Sequence, residues 1–379
     1  MSPTFSSPRR GRLLTWAIAA IALASAAIAA ADAARLDTST HVAARVDQTP
    51  PPAARVDVAP TSGPLDALAS ATDWINSPPL AAADLRGKVV LVDFWTYSCI
   101  NCLRTLPYVR AWSEKYRAAG LVVIGVHAPE FAFEHEPVNV RRAAAELHLD
   151  FPIAQDNDFA IWRAFRNPAW PAFWFVDAQG RVRGRHLGEG DYDATERELR
   201  SLLAEAGAAS LPPGLVAPQG SGVEAAAGSA RATSPETYLG WERADGFASG
   251  GLVPDVAHDY PGASALRADA WALGGTWTVE RERIVLQRAG GRIAYRFRGR
   301  DLHLVLGPST DGRPVRFRVR VDGQPPQADH GADTDAQGNG TVDARKLYQL
   351  VRQASGARER LFEIEFLDPG AQAYAFTFG

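Results

Sequence analysis

The stretch Val89-Val-Leu-Val-Asp-Phe-Trp95-Thr-Tyr-Ser-Cys99-Ile-Asn-Cys102 decides the fold of this chain. Its first seven residues are β-branched, aliphatic or aromatic except for Asp93, which is the pattern of a strand buried on both faces. If Cys99 begins a helix, both thiols lie on its first turn, close enough to form a disulfide. The unpaired N–H groups of that turn also favour a thiolate. We therefore predict a dithiol with Cys99 as the nucleophile.

Two alternatives compete with redox chemistry for this C-x-x-C motif. A zinc site needs four ligands, and the sequence has no other cysteine and no H-x-x-x-H motif to complete the set. A structural disulfide here would close a very short loop, which constrains the unfolded chain least. Both alternatives remain open, and redox chemistry is favoured over them.

The motif resembles the pattern Val-Asp-Phe-Trp-Ala-x-Trp-Cys-x-x-Cys of the thioredoxin superfamily. The longer run from Ser98 through Thr105 to Pro107 resembles the DipZ-like branch of exported thioredoxins, which is close to the TlpA-like reductases. The resemblance implies that Asp93 lies beneath the second cysteine and relays its proton. Ser98 replaces the usual aromatic residue, Ile-Asn replaces Gly-Pro, and Thr105 replaces the Glu of many TlpA-like proteins. The dipeptide helps to set the potential, so the redox direction stays open.

Trp170-Pro171-Ala172 matches a second feature of the resembling family. There, a cis-proline opens the strand that faces the dithiol, and the preceding residue offers its backbone to the substrate. The resemblance therefore implies a site role for Pro171, although a trans proline at a strand start is the simpler alternative. It also suggests Trp170, Trp95 and Ser98 as substrate-binding residues.

His127 and Glu130 follow the predicted strand Leu121 to Val126. The carboxyl ends of parallel strands meet at one edge of a sheet, where Cys99 also emerges. Either residue is a candidate for proton transfer, since histidine titrates near neutrality. A solvated position in the loop is the alternative for both.

Predicted strands alternate with predicted helices over residues 65–207. Such alternation implies a parallel sheet with crossover helices, and a hairpin at Asp177 to Gly180 closes one edge. The fold class expected for this part is an α/β thioredoxin fold. Strands are predicted at 89–95, 121–126, 151–154, 172–176 and 181–186, and helices at 99–119, 138–147, 159–165 and 192–206.

Residues 234–379 have a different pattern. Segments such as Val315 to Val321 alternate apolar and charged residues, which predicts antiparallel strands with one face in water. We expect an all-β sandwich, jelly-roll-like in character. The DipZ-like resemblance extends here through Ser234 to Gly240 and Arg345 to Gln353, and it implies a domain like a carbohydrate-binding module.

Sugar binding needs exposed aromatic rings, and core packing or a docking surface for proteins competes with that interpretation. The loop Asp333 to Ala344 also satisfies half of the EF-hand calcium pattern but lacks the final acid, so a turn is favoured. The aromatic candidates for sugar stacking are Trp241, Tyr260, Trp271 and Trp277.

The amino terminus has the pattern of an export signal. Three arginines within residues 9–12 precede an uncharged run, 13–31, so residues 1–35 are expected to be a signal peptide or a membrane anchor. Positive charge before the run places the rest of the chain outside the cytoplasm. Pro-rich residues 36–64 are expected to be an extended linker, and small-residue-rich residues 208–233 are expected to be a flexible linker.

Composition limits the function classes. The 379 residues carry a net charge of −3 and no basic stripe, which argues against nucleic-acid binding. The leading hypothesis is an exported thiol–disulfide oxidoreductase acting on disulfides of envelope proteins, with the dithiol in place of any cofactor and with no metal. By analogy with the resembling family, a membrane thiol carrier of the CcdA type would supply electrons. The rival hypothesis is an envelope scaffold that binds glycan or protein.

Overall fold

A computed structural model describes residues 63–228, 233–263 and 265–379. The expected signal segment (1–35) and nearly all of the expected Pro-rich linker (36–64) lie outside these residues. Across the described ranges, no helix has both the length and the apolar character needed to cross a membrane. The described strands form two separate sheets: those between Asp73 and Leu187 form one, together with helices, and those between Thr237 and Phe378 form the other. We call the first part the α/β domain and the second part the β domain.

The α/β domain is built on a six-stranded sheet, counted over the described residues. Strand β2 lies at its centre, and every residue from Val89 to Trp95 is buried because helices cover both faces. The spatial order is β1-β4-β3-β2-β5-β6, with β2, β3 and β4 parallel to one another. The strands are β1 (Asp73–Ile75), β2 (Val89–Trp95), β3 (Leu121–His127), β4 (Ile153–Gln155), β5 (Ala172–Val176) and β6 (Val182–Leu187).

The helices of this domain are α1 (Ile100–Tyr116), α2 (Pro137–Glu146), α3 (Ala160–Phe165) and α4 (Tyr192–Glu205). Helix α1 ends earlier than the sequence predicts, because the last turn tightens into a 3₁₀ helix over residues 117–119. Gly120 then takes a φ of +99°, a conformation that glycine adopts without steric cost. The predicted α/β thioredoxin fold is confirmed.

The described strands of the β domain pair antiparallel with one another, and their apolar side chains pack into a core. Strand β13 shows why: Val315, Phe317, Val319 and Val321 are buried while the intervening arginines face solvent. The predicted sandwich is confirmed. Its strands are β7 (Thr237–Tyr238), β8 (Ala257–Pro261), β9 (Trp271–Val279), β10 (Ile284–Leu286), β11 (Arg292–Gly299), β12 (Asp301–Gly307), β13 (Val315–Val321), β14 (Asn339–Val342), β15 (Lys346–Arg352), β16 (Arg358–Phe366) and β17 (Gln372–Phe378).

The connecting segment, residues 208–228, differs from the flexible linker that its composition predicts. Its apolar side chains Leu211, Val216 and Val223 pack against the core of the α/β domain. Glu224 forms a bidentate ion pair with Arg110 of α1, at 2.6 and 2.7 Å. Polar anchors therefore hold this segment in place although it has no periodic apolar pattern.

Candidate active site

The nucleophile expected from the sequence stands at the amino end of α1. Cys99 is the N-cap residue of this helix, and its Sγ accepts a hydrogen bond from the backbone N–H of Cys102 at 3.4 Å. Cys99 is partly exposed and Cys102 is fully buried, and both are free thiols. The unpaired N–H groups and the positive end of the helix dipole thus surround the exposed sulfur.

Asp93 lies in the central strand and is completely buried. Neither of its carboxylate oxygens has a hydrogen-bond partner among the described residues. Burial raises the pKa of Asp93 from 3.8 to about 8. Burial also raises the pKa of the Cys102 thiol, and the nearby Asp93 carboxylate adds to that increase. The buried acid and the buried thiol are therefore near enough for the charge of one to influence the other.

The peptide bond between Trp170 and Pro171 is cis, as the family resemblance implies. Strand β5 begins directly after it and pairs with β2 so that Ala172 lies opposite Phe94. Pro171 consequently lies beside the end of β2 that leads to the dithiol. Its carbonyl accepts a hydrogen bond from the N–H of Gly188 at 2.8 Å.

Comparison with known proteins agrees with this geometry. A redoxin family model matches residues 76–203, and a model described as a thioredoxin-like C-terminal domain matches residues 234–379. The thiol–disulfide oxidoreductase YkuV of Bacillus subtilis is 30% identical over 142 residues, which cover 38% of this chain and 95% of YkuV. The chain belongs to the thioredoxin superfamily.

Other members of the superfamily match over different lengths. Protein DipZ of Mycobacterium tuberculosis is 39% identical over 264 residues, which cover 66% of this chain and 37% of DipZ. The thiol–disulfide oxidoreductase ResA of Bacillus cereus is 27% identical over 119 residues, which cover 31% of this chain and 66% of ResA. This thioredoxin-superfamily chain thus spans little more than a third of the DipZ proteins it matches.

His127 is a buried residue of β3 and not a solvated loop residue as the sequence suggested. Its ring stacks on Tyr97 with centroids 5.6 Å apart, and its Nε2 lies 3.3 Å from the hydroxyl of Thr96. Burial lowers the pKa of His127 to about 3, so the ring is neutral at pH 7. The structure therefore gives His127 a packing role, because its ring lies against the loop that leads to Cys99.

Two expected substrate-binding residues are internal. Trp95 is fully buried and meets the His127 ring edge-on at 5.3 Å. Ser98 is also buried, and its hydroxyl donates a hydrogen bond to the carboxylate of Glu134 at 2.6 Å. Neither side chain lies where a protein substrate can touch it, so the expectation is corrected for both. Trp170 is partly exposed and packs on Trp162 with centroids 4.5 Å apart.

Glu130 belongs to the contact between the two domains and not to the dithiol. Its Oε1 accepts hydrogen bonds from the hydroxyl of Tyr238 and from Arg243, the latter at 3.3 Å. Both partners come from the β domain. A role in proton transfer at Cys99 therefore has no support from this geometry.

Glu134 is the site residue that the sequence did not reveal. It is buried and accepts the hydrogen bond that Ser98 donates. Ser98 and Glu134 are 36 positions apart in the chain, and Glu134 lies in a short 3₁₀ turn whose sequence has no periodic pattern. A local sequence signal for this contact does not exist, because the contact depends on how the loop folds back.

The four aromatic candidates of the β domain differ in their exposure to solvent. Tyr260, Trp271 and Trp277 are buried in its core, whereas Trp241 is 39% exposed. The expectation of a sugar-stacking role is therefore corrected for the first three, since a core ring cannot reach a ligand.

The calcium-like loop is a turn held by its own side chains. Asp335 Oδ1 accepts the N–H groups of Gln337 and Asn339, at 2.9 and 2.8 Å. This is the hydrogen bonding of an Asx turn. Across the described residues, no group of acids, histidines and cysteines is arranged to hold a metal ion.

Proposed function

We propose that this protein is an exported thiol–disulfide oxidoreductase that exchanges disulfides with envelope proteins. One observation carries the proposal: a partly exposed sulfur, Cys99, caps the helix that also carries the buried Cys102 thiol, and a buried acid, Asp93, has no hydrogen-bond partner among the described residues. This arrangement favours the thiolate of Cys99 and leaves the Cys102 thiol free to resolve a mixed disulfide.

The geometry supports a two-step exchange. The Cys99 thiolate attacks a substrate disulfide, an S–S bond forms between Cys99 and the substrate, and the first substrate sulfur leaves as a thiolate that takes a proton from water. Cys102 then gives its proton to Asp93 in those molecules in which this carboxyl is ionised, and its sulfur attacks Cys99. The second substrate thiolate leaves, the Cys99–Cys102 disulfide forms, and two electrons have passed to the substrate.

Continued turnover in this direction requires a source of electrons. We infer that a membrane dithiol carrier of the CcdA type reduces the Cys99–Cys102 disulfide, so that the protein works as a reductase or an isomerase. The likeness to DipZ and the export-type sequence of residues 1–35 support a location outside the cytoplasm.

Trapping of intermediates tests the exchange mechanism. The Cys102→Ala variant lacks the resolving thiol, so it is expected to accumulate mixed disulfides with protein substrates. The Cys99→Ser variant is the matched control and is expected to trap none and to lose the insulin-reducing activity of the parent. Failure of Cys102→Ala to capture any disulfide substrate while Cys99 reacts with alkylating agents contradicts the mechanism.

A second candidate function is glycan binding by the β domain. Trp241 supports it, because its exposed ring is oriented by a hydrogen bond from Nε1 to Asp255 at 3.1 Å. Asp255 lines a cleft of about 650 Å³ that reaches Phe133 of the α/β domain and Tyr374 of the β domain. Calorimetric titration with soluble envelope oligosaccharides tests this role, and Trp241→Ala is expected to abolish any heat of binding.

A further inference from the structure

The turn that carries Glu134 lies between the dithiol loop and the β domain. Residues Ala132–His135 form this 3₁₀ turn. Tyr374 of the β domain packs edge-on against Phe133 and Phe131, with ring centroids 4.8 and 5.3 Å apart. Phe133 also packs against Tyr97, with ring centroids 6.0 Å apart. The β domain therefore forms one wall of the pocket in which Glu134 is buried.

The two oxygens of Glu134 have different partners. Oε2 accepts the backbone N–H groups of Glu130 and Phe131, at 2.6 and 3.1 Å, which fixes the carboxylate on its own turn. Oε1 accepts the hydroxyl of Ser98 at 2.6 Å, a length typical of a charge-assisted hydrogen bond. Ser98 directly precedes Cys99, so this hydrogen bond links the residue before the nucleophile to a buried acid.

We propose that Glu134 is a positioning residue for Cys99, which it holds through Ser98 and whose reactivity it modulates by gaining or losing one negative charge. The inference rests on the proposed function, because it presumes that Cys99 reacts as a thiolate. It goes beyond that function by assigning a regulator to the site and by giving the β domain a part in its control.

The charge of Glu134 can change near neutral pH. Burial raises the pKa of this carboxyl from 4.5 to about 7, although the Ser98 hydroxyl lowers it in part. An ionised Glu134 opposes a second negative charge on Cys99, whereas a protonated one does not. Cys99 should therefore be a better nucleophile when Glu134 is neutral than when it is ionised.

Other titratable and charged groups face this site from each packed element, and they set the background for any pH profile. Glu130 adds to the effect of burial in raising the pKa of Glu134. Burial and Glu134 raise the pKa of Tyr97, and Arg142 and Arg345 oppose that increase. Glu282 of the β domain accepts the N–H of Ala132 at 3.1 Å. Burial raises the pKa of Asp93 to about 8, so this carboxyl contributes a separate inflection. The groups that face the turn are Glu130, His135, Tyr97, Arg142, Glu282, Arg345, Tyr374 and, through Glu130, Tyr238, Glu236 and Arg243.

The test uses the full chain carrying Cys102→Ala, so that Cys99 is the sole thiol. The rate of its alkylation by iodoacetamide is measured from pH 5 to pH 9 in this parent, in Glu134→Gln and in Glu136→Gln. Glu136 is an exposed acid two positions away and serves as the control. We expect the parent and the control to show an inflection near pH 7 that Glu134→Gln lacks. At pH 8, Glu134→Gln should react on the order of three- to tenfold faster.

A second variant separates this effect from simple loss of packing. Ser98→Ala keeps the carboxyl but removes a donor that stabilises its ionised form, so the inflection should move to higher pH. A merely structural role would leave the position of the inflection unchanged. Profiles of Glu134→Gln and Ser98→Ala that superimpose on the parent overturn this inference and leave the proposed function intact. A Cys99 that fails to react in every variant, the parent included, instead overturns the proposed function.

Discussion

Arg104 of helix α1 and Asp301 of strand β12 form a buried ion pair that joins the two domains, with Nη2 and Oδ2 3.3 Å apart. The side chains are 2% and 0% exposed, respectively. Asp301 also pairs with Arg300 and Arg352 of its own domain, at 2.6 and 2.8 Å. Arg104 lies two positions after Cys102, so the helix that carries the dithiol is fixed directly to the β domain.

The first prediction concerns this ion pair. Asp301→Asn leaves three arginines without their shared carboxylate, one of them buried, and should lower the free energy of unfolding by about 3 kcal/mol. Urea unfolding followed by tryptophan fluorescence measures the change. The exposed pair of Arg117 and Asp150 provides the control, and Arg117→Ala should cost less than about 0.5 kcal/mol. Equal effects of the two substitutions would contradict a structural role for the buried pair.

The second prediction concerns Asp93 and pH. The carboxyl has a pKa of about 8 in the folded protein and an ordinary value of 3.8, so between these values the unfolded chain has lost a proton that the folded chain keeps. Stability therefore falls as pH rises from about 4 to about 8. Asp93→Asn removes this penalty and should stabilise the protein by roughly 2–4 kcal/mol at pH 8.5, with little effect at pH 4.

The same substitution should slow the resolving step, because Cys102 loses its proton acceptor. Stopped-flow measurement of mixed-disulfide decay at pH 8.5, where most of the Asp93 carboxyl is ionised, is expected to show a decrease of roughly 10- to 100-fold. A variant that is stabilised yet resolves at the parental rate would show that Asp93 does not relay the proton.

The third prediction concerns His127. The pKa of His127 is about 3 in the folded protein, against an ordinary value of 6.5. Between these values the unfolded chain binds a proton that the folded chain does not bind. The free energy of unfolding therefore decreases as pH falls from about 6.5 towards 3. His127→Phe keeps the stacked ring and should reduce that acid sensitivity. It should leave the pH profile of Cys99 alkylation unchanged between pH 6 and 9. If the profile of His127→Phe instead lacks an inflection that the parent shows in that range, His127 takes part in proton transfer and the packing role is contradicted.

The fourth prediction compares two tryptophans of the β domain. Trp277→Ala empties a fully buried position and should cost about 3–5 kcal/mol of stability. Trp241→Ala alters an exposed ring and should cost less than about 1 kcal/mol. Thermal melts of the full chain measure both. A large loss for Trp241→Ala would mean that this ring serves packing and is not available to a ligand.

The dithiol and the α/β core were predictable because their signals are local. The strand Val89–Trp95, the Cys99–Cys102 spacing and the X-Pro position before β5 each lie within a few residues. In the β domain, Trp271 and Trp277 share the buried face of β9 with Leu273 at period two. Two glycines at 274 and 275 interrupt that pattern, so the strand was not predicted, and the sequence left its tryptophans open between core packing and sugar stacking.

The contacts that tie the domains together could not be predicted. Glu134 meets Ser98, Tyr374 meets Phe133, and Arg104 meets Asp301 across 36, 241 and 197 positions, respectively. Each depends on tertiary packing and leaves no periodic mark in the sequence. The connecting segment was misjudged for a similar reason, since its order comes from anchors such as Arg110 and not from its own composition.

A redox titration of the full chain against glutathione tests the central claim most directly. We expect Cys99 and Cys102 to convert between dithiol and disulfide as one two-electron couple, with a tenfold change in the equilibrium constant for about 30 mV. Mass spectrometry after alkylation should find both cysteines blocked or both bridged, and Cys99→Ser should remove the transition. A folded chain whose two sulfurs never bridge at any glutathione ratio would contradict the account.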